Sequence, residues 1–162
     1  RYNIPLDEYP RRCINQIENW KKDREKYMHD DVTHTRTTEY ASYIIEAIVT
    51  DIPYKIGGNV INNGLIPNLP AEACVEVACL VNKNGIQPCA QKPLPLQLAA
   101  MNSAMIGVQL LTIEAAVTQK KETIYQAAML DPHTSSELSI DEIIRLCDDL
   151  IEAHGSYLPK YH

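Results

Sequence analysis

Apolar residues recur at helical spacing towards both ends of the chain and alternate at strand spacing in its middle. Cys13, Ile14, Ile17, Trp20 and Tyr27 share one face of a helix predicted over 7–27, with Asp7 as its cap and charges filling the other face. A polar stretch over 28–38 has no apolar period and reads as a loop. Ala41, Ile44, Ile45 and Ile48 then predict a second helix over 38–50, stopped before Pro53.

Between residues 54 and 90 the pattern changes to short β-branched runs broken by Gly, Asn and Pro, with the tight-turn dipeptides Asn63-Gly64 and Asn84-Gly85. In the run 74–81, Val75, Val77, Cys79 and Val81 fall on one face and Glu76 on the other, as the only charge of a strand. Leu98, Met101, Met105, Val108, Leu111 and Ala115 predict a long helix over 96–118, with a stripe broad enough to be largely buried. A shorter helix over 121–130 stops before Asp131-Pro132, and Ser139 with Glu142 forms a capping box for a last helix through His154, ended by Gly155. Helices, then a small antiparallel sheet, then helices again is an α+β order.

The chain has 162 residues, enough for one domain with a real core. Its net charge of −6 argues against a nucleic-acid partner, because the one dense basic run, Lys21 to Lys26, is interleaved with Asp23 and Glu25. Apolar runs such as 98–101 and 115–117 are far shorter than a membrane span, so none is expected. Five cysteines, an odd number set mostly among apolar neighbours, read as reduced, buried thiols of a cytoplasmic protein. The chain starts at Arg1, with neither a leader nor a glycine-rich strand-to-helix unit, and reads as the inside of a longer polypeptide.

Several groups of residues carry candidate chemistry. His29, Asp30, Asp31 and His34 are metal-ligand types within six residues, yet their spacing matches neither a helical His pair nor a calcium loop, which favours a solvated loop. Asp131, His133, Ser135 and Ser136 lack the strained turn of a nucleophile and read as turn chemistry between helices. The amide-rich segment 57–64 can bring backbone and side-chain amides to a ligand, or form a hairpin with a bulge. Glu39, Tyr40 and Tyr43 open the second helix, where a phenol can bond a hydroxyl or simply pack. Glu76 is either a structural carboxylate or a group facing a polar site. No residue is assigned a catalytic, cofactor-binding or metal-binding role.

Taken together and in order, Glu39-Tyr40-Ala41-Ser42-Tyr43-Ile44-Ile45, Gly58-Asn59-Val60, Asn63-Gly64-Leu65-Ile66-Pro67-Asn68-Leu69-Pro70 and Ala73-Cys74-Val75-Glu76-Val77 resemble the C-terminal half of family 4 glycoside hydrolases. Asn84-Gly85-Ile86-Gln87-Pro88, Leu94-Pro95-Leu96-Gln97-Leu98-Ala99-Ala100-Met101-Asn102, Glu114-Ala115-Ala116, Ala127-Ala128-Met129-Leu130-Asp131-Pro132 and the closing Ala153-His154 with Leu158-Pro159 continue the resemblance, which spans 39–159. It is nearest to the α-galactosidase, α-glucosidase and α-galacturonidase branch, with Ala78 standing where the family pattern has proline.

The resemblance implies a fold like the C-terminal domain of lactate and malate dehydrogenases. It also implies residues 1–162 as one domain, preceded in the full enzyme by an absent NAD-binding domain. The implied chemistry is that of an NAD- and Mn²⁺-dependent α-glycosidase, which oxidises a sugar hydroxyl and then eliminates the glycosidic group, unlike the two-carboxylate glycosidases. The cofactor fingerprint, metal ligands and base would lie upstream, so the fragment alone is expected to be inactive and to bind neither cofactor. Tyr40, Asn59, Asn63 and Glu76 are then expected to support the sugar pocket or a subunit contact, and the whole enzyme to be a homo-oligomer. The competing readings are a non-catalytic binding or scaffold module and a dehydrogenase-type C-terminal domain.

Overall fold

A computed structural model describes residues 5–29 and 35–162. The chain forms two compact units, residues 1–39 and 40–162. Within the first, helix α1 runs Glu8–His29. The Asp7 carbonyl accepts from the Arg11 amide at 3.1 Å and its carboxylate pairs with the Arg11 side chain at 3.3 Å, so the helix opens where the acidic residue predicts. It extends two residues past the predicted end, taking in Met28 and His29. Asp30, Asp31 and His34 of the candidate metal cluster lie outside the described residues.

The second unit begins with α2, Ala41–Thr50. The predicted start at residue 38 is three residues early, because Tyr40 is the N-cap and its carbonyl accepts the first helical bond, from Ile44. At its other end Asp51 takes a left-handed conformation (φ 62°) and its carboxylate reaches Lys83 at 2.9 Å, tying the helix to the turn between two strands. Those strands belong to a three-stranded antiparallel sheet in the order β1-β2-β3: Tyr54–Ile61, Cys74–Asn82 and Gly85–Pro88. Segment 57–61 is therefore strand, and only the residues from Asn62 onward turn away. Asn84-Gly85 does sit at a tight hairpin, with Gly85 at φ 89°, a conformation glycine adopts without strain. Asn63 and Gly64 are also at positive φ, but within a long loop between β1 and β2.

The alternation along β2 is as predicted. Val75, Val77, Cys79 and Val81 are buried, while Cys74, Glu76 and Ala78 are exposed. Ile56 and Val60 of β1 share the covered face, and Ile66, Leu69, Ala73, Ala99 and Ile106 complete the core cluster. Ala99 and Ile106 come from α3, Leu96–Thr118, whose far half packs on α4, Lys121–Leu130, with Ala115 and Ala127 buried. The expectation that the α3 stripe is largely buried is corrected: Leu98, Met101 and Met105 are exposed, and only Ala99, Ile106 and Ala115 are buried. The helix meets the core through Ala99 and Ile106, with Leu110 packed beside them, so Leu98, Met101 and Met105 face outward. By length and composition alone α3, with Glu114 as its one charge, is long and apolar enough to cross a membrane, which the short apolar runs in the sequence did not suggest.

Asp131 ends α4 and caps a short helix, α5 (Pro132–Glu137), by accepting from the Thr134 amide at 2.8 Å. The Thr134 bonds hold its carboxyl below the usual range and make Asp131 the cap of the turn between the two helices. The capping box of Ser139 and Glu142 opens α6, Ile140–His154, as predicted. Helices α4 and α6 are joined by Asp148, which accepts from both Tyr125 and Lys121 at 2.6 Å.

Candidate functional site

Strand register builds the site. Asn59 lies directly opposite Glu76, and Gly57 directly opposite Ala78, all on the face of the sheet that the core leaves uncovered. The Glu76 side chain lies flat across its neighbour strand, because a Cβ added at Gly57 would stand 2.9 Å from its Oε1. Glycine at 57 and alanine at 78 thus make a low floor, with the Glu76 carboxylate lying over Gly57 and Asn59 beside it.

Segment 89–95 walls this floor on one side. The Cys89 amide donates to Ala78 at 2.8 Å, continuing the β2–β3 ladder for one more residue. From there the chain runs on so that Ile66, Glu76, Ala78, Gln91, Lys92 and Leu94 line an open concavity of about 580 Å³, which Gly57 and Asn59 do not line. Carboxylate, amide and ammonium groups over a small-residue floor can exchange several hydrogen bonds with a polyhydroxylated ligand.

The sequence-predicted site residues divide accordingly. Asn59 and Glu76 are brought side by side on the open face. Asn63 stands exposed just beyond the end of β1, at φ 41°. Tyr40 caps α2, and that helix packs on the opposite face: Tyr43 stacks on Tyr54 at 5.3 Å, and Tyr54 lies on the same side of β1 as Ile56 and Val60. Sequence reasoning missed Gln91 and Lys92, whose only signal is their place in a proline-punctuated segment after the last strand. The expectation that all cysteines are buried is also corrected. Cys79 and Cys147 are buried, but Cys74 and Cys89 are exposed, because Cys74 shares the open face with Glu76.

Among the described residues no group of three or more His, Cys, Asp or Glu is placed to hold a metal ion.

Residues 1–134 match the family model of the family 4 glycosyl hydrolase C-terminal domain. The chain belongs to that family. This family 4 domain is 59% identical over 159 residues to an α-galactosidase of Bacillus subtilis (strain 168), a match covering 98% of the chain and 37% of the relative. It is 34% identical over 129 residues to an α-galactosidase of Rhizobium meliloti (strain 1021), covering 80% of the chain and 26% of that relative. The chain thus spans between about a quarter and a little over a third of the length of these relatives. Among solved structures it resembles a 6-phospho-α-glucosidase from gut microorganisms in complex with NAD and glucose-6-phosphate, with a TM-score of 0.78 at 22% identity over 96% of the chain and 36% of that structure. The likeness supports the α+β fold of helices around a small antiparallel sheet, and the family match sets aside a lactate or malate dehydrogenase origin.

Proposed function

We propose that this family 4 domain is the substrate-side and oligomer-forming C-terminal part of a cytoplasmic α-glycosidase that uses NAD and Mn²⁺, completed by an N-terminal dinucleotide-binding domain. The supporting observation is the identity of 59% to an α-galactosidase along almost the whole chain, together with an open sheet face that carries polar groups instead of core. NAD and manganese supply oxidation and charge stabilisation at the sugar ring from outside this chain. This chain's own residues bind and orient: Glu76 accepts hydrogen bonds from sugar hydroxyls, Asn59 and Gln91 donate and accept, and Lys92 donates. Asn63 lies at the rim, and Tyr40 belongs to a subunit or domain contact.

The test replaces the matching segment of the Bacillus subtilis α-galactosidase with this chain and assays the chimera on aryl α-galactosides, with and without NAD and Mn²⁺. Turnover that requires both supports the reading, and so does the absence of turnover by the 162-residue chain alone. A well-folded chimera that turns over no α-glycoside, or a pure fragment that does, overturns it.

A further inference from the structure

The loop between β1 and β2 contains Pro67 and Pro70, which have no N–H to offer a ladder, so side chains must organise it. Asn62 does so from the inside. It is fully buried, its Nδ2 shares its two hydrogens among the carbonyls of Ile66, Leu69 and Pro70, each 3.0 Å away, and its Oδ1 accepts from the Ile66 amide at 2.7 Å. Its backbone closes the loop base, with the amide donating to Ala73 at 2.8 Å and the carbonyl accepting from Leu65 at 2.7 Å.

The loop so fixed holds a second segment. The Leu65 carbonyl accepts from the Gln91 amide at 2.7 Å. Asn68 then grips Leu94 twice: Nδ2 donates to its carbonyl at 2.8 Å and Oδ1 accepts from its amide at 2.9 Å. One carboxamide thereby supplies the donor and acceptor that a neighbouring strand would supply. Gln91 and Lys92, the polar wall opposite Glu76, lie on the segment between the Ala78 and Asn68 anchors.

We infer that Asn62 and Asn68 form a two-step carboxamide clamp, and that Asn68 is a positioning residue which sets Gln91 and Lys92 at a fixed reach from Glu76 for a sugar ligand. This rests on the reading of the Glu76 concavity as sugar-facing. Asn62 orders the loop, the loop presents Asn68, and Asn68 fixes the wall. Removing Asn62 takes the side-chain donor from the buried Leu69 carbonyl and the acceptor from the Ile66 amide, while the Ile66 and Pro70 carbonyls keep the Leu69 and Ala73 amides, so Asn62 variants report folding. Asn68 is exposed, and its replacement leaves the core intact.

The experiment uses the full polypeptide that carries this chain, with NAD, Mn²⁺ and an aryl α-galactoside, and compares wild type with Asn68→Ala and Asn68→Asp. Asn68→Asp keeps the size and the acceptor but loses the donor. The expected result is faster hydrogen exchange at the Leu94 amide in Asn68→Ala, and KM raised about 3- to 10-fold in both variants, the equivalent of one or two neutral hydrogen bonds. The value of kcat and the thermal midpoint stay at wild-type values. Unchanged exchange at Leu94, unchanged KM despite lost protection, or a joint fall of kcat and midpoint each overturns the clamp. A wild type that turns over no α-glycoside instead overturns the functional reading, and with it the ligand assigned to the clamp, while the exchange arm still shows whether Asn68 holds Leu94.

Discussion

On the covered face of the sheet, Val75, Val77, Cys79 and Val81 are all but sealed from solvent, whereas one residue along the same strand Cys74, Glu76 and Ala78 stand in the open. Because side chains alternate with a period of two, a slip of one residue would put Glu76 into the core and the valines into water. The covered face therefore pins the register, and the open face has no folding duty to perform. Freed of that duty, it can carry a carboxylate and a carboxamide side by side. Even the paired glycines differ: a Cβ at Gly58 would stand 2.7 Å from the buried Cys79 Sγ, while one at Gly57 meets only the mobile end of Glu76.

The largest contrast between the faces should appear in thiol chemistry. Cys74 is exposed on the open face and Cys79 buried on the other, so a maleimide under native conditions should label Cys74 about a hundredfold faster or more, since Cys79 reacts only through opening. Cys147, a buried residue of α6, should lag as well. Burial pushes its thiol pKa up, with the Asp148 charge adding to the shift, so its thiolate fraction at neutral pH is depressed and its labelling should gain from raised pH. Peptide mapping after timed labelling reads all three. Equal rates at Cys74 and Cys79 would mean that the two faces are not distinct in solution.

Stability should separate them next. Val77→Ala removes two buried methyl groups and should cost about 2–3 kcal/mol in denaturant unfolding, transfer and cavity terms together. Ala78→Ser, its neighbour on the open face, should stay within about 0.5 kcal/mol of wild type. Comparable losses from both would place hidden packing over the open face.

Much of this arrangement was legible in the sequence because it follows from periodicity. The alternation of residues 74–81, the capping box of Ser139 and Glu142, and the Asn84-Gly85 hairpin are local signals, and each lands where the residues place it. What escaped depends on long-range partners. Asn62 sits inside an amide-rich stretch, and nothing in its neighbours tells that its side chain turns inward to three carbonyls while Asn63 turns out. Gln91 and Lys92 join the site through bonds to residues some 11 to 26 positions earlier, Cys89 to Ala78 and Leu94 to Asn68. The α3 stripe misled for a related reason. Periodicity shows which residues share a face but not which face the neighbours choose, and here Ala99, Ile106 and Ala115 are inside while Met101 and Met105 are out.

The smallest effect is the most informative about the site. Gly58→Ala must push against the buried Cys79 sulfur, and overpacking of this kind should cost about 1–2 kcal/mol. Gly57→Ala meets the flexible Glu76 carboxylate at 2.9 Å, and swinging that group aside should leave stability within about 0.5 kcal/mol of wild type. The displaced carboxylate is the one proposed to meet the sugar. In the full enzyme, therefore, Gly57→Ala should raise KM for the glycoside while Gly58→Ala lowers the unfolding midpoint, two neighbours in sequence with opposite signatures. If Gly57→Ala leaves both KM and stability untouched, Glu76 is not held against a ligand at this floor, and the open face must serve a contact with protein instead.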